Sequence, residues 1–297
     1  MDEVQKAILN DNPELFKLGE DAYRISDLLT KKFNERGLSL GDLTPSQRIF
    51  LFFWVRAVKT YSSISLLCAK GYGQDVATLL RSLLENMIAI KFILNNPKTA
   101  DSLAVRFVEY KWIIFKRYLP EEEQRIKKAS YEIKEKFYKK SRAISEKVEE
   151  FKKKYQIVSD KALITWSGHS IRDMAKMAGH ELLEEYDYTF RLCSRFAHSS
   201  ILGDKDYVHK EEDVLILSSV PSSVGVFDNL KNAIKYLVEF LMIFNNFYSL
   251  DHMQFIDQLK SDLNSAVSID KDRKNILPES PLIATLKTSN QRIVLQF

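Results

Sequence analysis

The stretch from Thr44 to Asn96 constrains the fold more than any other part of the sequence. Residues 44–47, Thr-Pro-Ser-Gln, supply an N-cap threonine, a proline at the first helical position and a glutamine three residues after the cap. A helix should therefore run from Pro45 to about Lys70. The Gly-Tyr-Gly sequence at 71–73 ends it, and a second helix capped by Asp75 should run to Asn96, before a proline. Each helix has ~25 residues, hence ~37 Å, and both are apolar around much of their circumference, so they should form the antiparallel centre of a bundle.

The remaining sequence extends this pair into an all-α helical bundle. Hydrophobic residues make up 45% of the 297 residues, with only 9 Gly and 7 Pro, which is typical of a helix-rich globular protein. We expect N-terminal covering helices in residues 1–40, a main helical domain in 41–252 and a C-terminal extension in 253–297. The last strong apolar helix should begin at Phe227 and end between Tyr248 and about Ser265.

Minor β-hairpin elements are expected near the C-terminus. Residues 214–217 are Val-Leu-Ile-Leu and should form a short strand against Tyr207 and Val208. A second hairpin is predicted to pair residues 282–286 with residues 292–297 around a polar turn.

A charged helical arm is predicted between Glu121 and Tyr155. An apolar helix over residues 102–118 should end at Pro120, and one long helix should follow. Residues 121–155 contain twelve Lys or Arg and eight Glu, so 12 − 8 = +4, which equals the net charge of the whole chain. Such an excess could attract phosphate, although interspersed signs are more often a solvated face.

Several classes of protein are disfavoured by what the sequence lacks. No apolar run approaches the ~18 residues of a membrane span, and the N-terminus has no signal-peptide pattern, so we expect a cytoplasmic protein without a membrane partner. Cys68 and Cys193 lie in apolar helical patterns and should be free thiols. Metal-ligand spacings and phosphate-binding glycine loops are missing, so no metal site and no cofactor are expected.

Chemistry is concentrated in the stretch 186–200, near the end of an amphipathic helix predicted from about Glu181 to His198. At ~100° per residue, one arc of this helix is apolar and suited to core packing. The opposite arc carries Glu184, Tyr188, Arg191, Arg195 and His198. Arginine offers donors that match phosphate, and histidine can transfer a proton near neutral pH. The stripe could bind and cleave a phosphodiester, or it could be an ordinary solvated face.

Arg81 and Glu85 stand out in the second helix of the central pair because leucines surround them. Their four-residue spacing allows an ion pair at the margin of the core. Alternatively, Arg81 faces a pocket shared with the later helix. Ser170 is interpreted as a helix cap and Trp166 as a core anchor, rather than as parts of a nucleophile motif.

Arg191, followed by six residues and then His198, resembles the motif of nucleases in the HEPN superfamily (higher eukaryotes and prokaryotes nucleotide-binding domains). The residue after Arg191 is Leu192, where those nucleases usually have a polar residue. The segments Leu79–Glu85, Trp166–Gly168 and Arg195–His198 also resemble an uncharacterised bacterial helical family. Together the resemblances cover about residues 45–250.

The resemblance implies metal-independent cleavage of RNA, which is expected to be single-stranded, by a host-defence or toxin endoribonuclease. Two copies of the helix in a homodimer would form a composite site, with His198 transferring protons and Arg191 and Arg195 holding phosphate. Tyr188, Arg81 and Glu85 are the expected nucleic-acid-binding residues, and a regulatory protein partner is possible. Two rivals stay open. One is a non-catalytic protein-interaction module in which the arginines pair with Glu184 or Asp187. The other is an RNA- or nucleotide-binding protein without cleavage.

Overall fold

Helices form the main core of the protein, which confirms the all-α bundle. The computed structural model describes residues 3–159, 163–197, 208–211, 214–217, 221–276 and 293–295. In these ranges the α-helices are α1 (Glu3–Asp11), α2 (Pro13–Glu35), α3 (Pro45–Ala69), α4 (Ala77–Leu94), α5 (Pro97–Glu109), α6 (Lys111–Arg125), α7 (Tyr131–Lys154), α8 (Ile171–Ala178), α9 (His180–Glu185), α10 (Arg191–Ala197), α11 (Val226–Tyr248) and α12 (Met253–Ile276).

The predicted central pair is α3 packed against α4. The capping box at the start of α3 is present: the Thr44 hydroxyl accepts from the Gln47 amide at 3.3 Å, and the Gln47 side chain accepts from the Thr44 amide at 2.9 Å. Two backbone amides that have no intrahelical acceptor are thereby satisfied, so α3 begins where the sequence predicts. Helix α4 begins at Ala77, two residues after the expected cap Asp75.

Helices α2 and α11 complete the core around this pair. The indole of Trp54 in α3 stacks on the ring of Phe244 in α11, with centroids 4.3 Å apart and an interplanar angle of 8°. The indole nitrogen of Trp54 donates to Thr30 Oγ1 in α2 at 3.1 Å, so its one polar atom is satisfied inside the core. The same core contains residues from Ile8 in α1 to Leu263 in α12. The N-terminal segment 1–40 and the C-terminal segment 253–297, expected to cover and to extend the main domain, therefore also contribute side chains to its core.

The turn between α3 and α4 packs tightly against the loop that precedes α11. The Ser222 amide donates to the Gly71 carbonyl at 2.8 Å, and the Asn229 side chain donates to the Gly73 carbonyl at 2.7 Å. Gly71 has a φ of +82°, a backbone conformation that side-chain-bearing residues rarely adopt. The glycines therefore both end α3 and allow the backbone of another segment to approach.

The single charged helix predicted over 121–155 is wrong, because the structure forms an antiparallel hairpin of α6 and α7 instead. Pro120 lies inside α6 rather than at the end of a helix. It is exposed, so water can hydrate the carbonyl that loses its amide partner. The chain turns after Ile126, and Ser130 occupies the N-cap position of α7. The helix predicted over 102–118 is likewise divided, at Tyr110.

A second, small core anchors this hairpin to the bundle. It is built from Tyr110, Ile113, Val148, Phe151 and Leu163. The Tyr110 hydroxyl donates to the carbonyl of Leu163 at 2.6 Å, and its ring packs near that of Phe151. Sequence separation therefore does not reflect proximity here, since the connector after α7 returns to the start of α6.

The last apolar helix ends at Tyr248 and does not extend to Ser265. Ser249 has a φ of +48°, which breaks the helical path before α12 begins at Met253. The guanidinium of Arg36 donates to the carbonyls of Tyr248 and Ser249 at 2.5 and 2.8 Å, so a distant side chain caps this helix end.

Short antiparallel strands occur at β1 (Val208–Glu211), β2 (Val214–Leu217) and β3 (Ile293–Leu295), in the order β1-β2-β3. Val208 pairs with Leu217, and Leu215 pairs with Leu295. The first arm of the predicted terminal hairpin, residues 282–286, lies outside the described residues. None of the helices in the described part of the chain has the length and apolar content required to cross a bilayer.

Candidate functional site

The arginines predicted as functional lie in a helical segment, residues 180–197, that is not a uniform α-helix. Helix α9 passes into a π-helical turn over Tyr186–Phe190 and continues as α10. The prediction of a continuous α-helix is therefore corrected at its centre, although its two faces are as expected. Leu182, Phe190 and Cys193 are buried. π-Turns within helices occur frequently at functional sites.

Arg191 and Arg195 project from the exposed face of this segment. Within the described part of the chain, neither side chain forms a hydrogen bond or an ion pair. Tyr188 is on the same side and is 74% exposed. His198 lies outside the described residues, so the structure brings together the two arginines and the tyrosine of the predicted site.

Neighbouring carboxylates contact other partners. Asp187 accepts two hydrogen bonds from the guanidinium of Arg172 in α8, at 3.0 and 2.9 Å. This bidentate contact, with a smaller contribution from the charge of Arg191, lowers the pKa of Asp187. Glu184 approaches His180 Nδ1 at 3.6 Å. The pairing of the arginines with Asp187 or Glu184, expected for a structural face, is not present among the described contacts.

Arg81 contacts the segment 180–197. Its guanidinium carbon lies 4.8 Å from the centroid of the Phe190 ring, in a cation–π geometry. Phe190 in turn stacks on Tyr186 at 4.8 Å between centroids. Glu85 is exposed on α4, one turn further along. The packed arginine and the exposed glutamate thus have different environments.

Glu185 is the functional-site candidate that sequence reasoning missed. Its carboxylate is only 19% exposed and accepts hydrogen bonds from Lys235 and Tyr236 of α11, and from the Thr189 hydroxyl at 3.1 Å. Burial alone would raise the pKa of Glu185, but the hydrogen bonds and the charge of Lys235 outweigh burial and lower it. This network fixes the π-turn, directly before Arg191, to α11. The Glu-x-x-x-Thr spacing was the only local signal of it.

The Trp166–Ser170 motif packs against a different part of α4. Trp166 packs edge-on against Phe92 of α4 and Phe107 of α5, with centroids 5.8 and 5.1 Å apart. The Ser170 side chain accepts from the Asp173 amide at 3.1 Å, which caps α8. Both residues have the structural roles predicted. Phe92 is eleven residues, or about 16 Å, from Arg81 along α4, so this motif and the arginines occupy different regions.

The cysteines are free and buried, as expected. Burial raises the pKa of the Cys193 thiol to about 11 and that of Cys68 to about 12, so both are uncharged thiols at neutral pH. Among the described residues, no group of three or more His, Cys, Asp or Glu is placed to hold a metal ion.

Comparison with known proteins identifies a family but no individual relative. A family model described as a family of unknown function (DUF5677) matches residues 47–215, which is more than half of the chain. The match includes α4, the Trp166 motif and the segment 180–197. No curated protein and no solved structure matches the chain.

Proposed function

We propose that this chain, which belongs to the DUF5677 family of unknown function, is a metal-independent endoribonuclease of the HEPN type. One observation carries the proposal: the exposed guanidiniums of Arg191 and Arg195 form no hydrogen bond or ion pair with a described carboxylate, while Asp187 and Glu184 contact other groups. Two guanidiniums one helical turn apart, with no ion pair among the described residues, suit a phosphate group, and His198 comes three residues after Arg195 in the sequence.

The chemistry requires only side chains and the substrate. His198 takes the proton of a ribose 2′-hydroxyl, whose oxygen then attacks the adjacent phosphorus. Arg191 and Arg195 stabilise the negative charge that builds up on the phosphate oxygens. The bond to the 5′-oxygen breaks, that oxygen receives a proton, and a 2′,3′-cyclic phosphate is left on the other product. Tyr188, which is largely exposed, stacks on a base of the strand.

Because the arginines point away from their own core, a further surface is needed to enclose the substrate. We assign that role to a second copy of the chain, in a homodimer with two such segments facing each other. The substrate is single-stranded RNA in the cytoplasm, and the biological role is that of a defence or toxin effector restrained by a regulatory protein. Sedimentation analysis tests the dimer, and a strictly monomeric protein at micromolar concentration would exclude the composite site.

A second function, RNA binding without cleavage, is favoured by Leu192. This leucine follows Arg191, is 39% exposed, and gives an apolar side chain where a polar group would help to bind a transition state. The two functions share the arginines and differ in the role of His198.

Substitution of His198 separates the two functions. For the nuclease, His198→Ala should lower the rate of RNA cleavage about 100-fold or more, because general acid–base catalysis contributes at least that much. The wild-type rate should be unaffected by EDTA, and a strand with a 2′-deoxy sugar at the cleavage position should resist. An identical rate for His198→Ala and wild type would refute the catalytic assignment.

Arg191→Ala tests the phosphate contact that both functions share. We expect weaker binding to RNA and a lower salt dependence of binding, because without this guanidinium one fewer counterion is released from the RNA when the protein binds. Arg24→Ala is the matched control, because Arg24 is exposed on α2, far along the chain from this segment. Equal binding by both variants would show that Arg191 belongs to an ordinary solvated face.

A further inference from the structure

The α6–α7 hairpin carries an unusual number of exposed aromatic and aliphatic side chains. Among the described residues, six of the 22 large hydrophobic side chains that are prominently exposed lie between residues 111 and 138, a short part of the described sequence. Tyr131 is 81% exposed, Tyr118 56% and Tyr138 52%. None of these rings is required to fill the small core of the hairpin, which consists of other residues.

Two of the tyrosines and an arginine share one face of α7. At ~100° per residue, Tyr131, Tyr138 and Arg142 lie within ~40° of arc, and the two rings are separated by about 10 Å along the helix. Tyr138 is held in place by a hydrogen bond from its hydroxyl to Glu123 at 3.3 Å. We call Tyr131, Tyr138 and Arg142 the tyrosine stripe.

The charge of the hairpin is strongly positive. Residues 111–155 contain fifteen Lys or Arg and eight Glu, so 15 − 8 = +7, which exceeds the +4 of the entire chain. The structure describes all of these residues, and six of their cations form ion pairs. Arg142, in the tyrosine stripe, and Lys139, beside it, form no ion pair with a described residue. The excess cations are therefore available to an anionic partner.

We propose that the tyrosine stripe binds single-stranded RNA. Exposed rings at regular spacing provide surfaces on which unpaired bases stack, and the surrounding cations neutralise the phosphates that connect those bases. A double helix keeps its bases paired and offers no free base faces, and an apolar protein partner would gain nothing from the excess of positive charge. The inference rests on the geometry of the hairpin and not on cleavage at Arg191 and His198.

The test is binding of the full chain to a labelled single-stranded RNA with 2′-O-methyl sugars, which lacks the nucleophilic hydroxyl and so stays intact. Tyr131→Ala and Tyr138→Ala should each weaken binding at least fivefold, and Tyr131→Phe should restore most of the affinity because the ring is kept. Arg142→Ala should reduce the salt dependence of binding by the equivalent of one phosphate contact.

Tyr23→Ala is the matched control, since Tyr23 is 48% exposed on α2, away from the hairpin. It should bind like the wild type, and circular dichroism should show that every variant is folded. Unchanged affinity of the Tyr131→Ala/Tyr138→Ala double variant would overturn the proposal, as would an equal loss in the Tyr23 control. If the wild type binds this RNA through the tyrosine stripe but does not cleave unmodified RNA, the result counts only against the proposed nuclease function.

Discussion

Glu185 provides the sharpest test of how the segment bearing the arginines is held. Replacing it by alanine removes the acceptor of two buried hydroxyl groups, those of Tyr236, which is 2% exposed, and Thr189, which is 5% exposed. A buried hydroxyl that loses its partner costs about 1–3 kcal/mol, so Glu185→Ala, which affects two of them, should lower the free energy of unfolding by about 2–6 kcal/mol. The half-exposed Lys235 returns to water and adds little.

Urea unfolding followed by circular dichroism measures this difference as a shift of midpoint at constant slope. Glu185→Gln keeps one acceptor oxygen and should cost less than the alanine variant. Glu184→Ala is the control, since that neighbouring side chain is 69% exposed and its removal should change stability by no more than about 0.5 kcal/mol. If Glu185→Ala is no more destabilising than Glu184→Ala, the network does not hold the π-turn and the reasoning fails.

The pH dependence of the same variants gives an independent check. The pKa of Glu185 is lower in the folded protein than its ordinary value of 4.5, so the stabilisation is fully present above that value. It is lost as the pH falls through the lower, folded pKa, because the carboxylate must then be protonated. The difference in stability between wild type and Glu185→Gln should therefore shrink below about pH 4.5. A difference in stability that stays constant as the pH is lowered, until the protein unfolds, would contradict this assignment.

Three further substitutions test the framework by the same urea measurement. Thr44→Ala should cost about 1 kcal/mol, because it removes the cap of α3, and Thr44→Ser should restore most of it. Gly73→Ala should cost more than about 2 kcal/mol, since the added carbon would lie 2.4 Å from the Val224 carbonyl oxygen and from the Val226 amide nitrogen. An unchanged midpoint would show that the backbone at the start of α11 moves easily. Trp54→Ala should cost about 3–5 kcal/mol through loss of the stack on Phe244, and a loss below 1 kcal/mol would mean that the core closes over the space.

Local signals were enough to predict the central helix pair. A cap, a proline and two glycines determine where α3 begins and ends, because they act on backbone groups within a few residues of themselves. Periodicity was also enough to predict that Arg191 and Arg195 are exposed, since a core can form on only one side of an amphipathic helix.

Other features depended on contacts that the sequence does not reveal. Pro120 usually indicates a helix end, yet α6 passes through it, because the affected carbonyl is on an exposed part of the hairpin. The end of α11 is capped by Arg36, more than 200 residues earlier in the chain. No local pattern predicts a partner at that separation.

The sequence by itself thus determined the class of fold, the central pair and the face on which the arginines lie. Only the tertiary structure decided the environment of that face, where Lys235 and Tyr236 of another helix hold the Glu185 carboxylate. It also decided that the charged region folds into a hairpin. The physical reason is range: caps and periodicity act within a few residues along the chain, whereas buried hydrogen bonds join groups that only folding brings together.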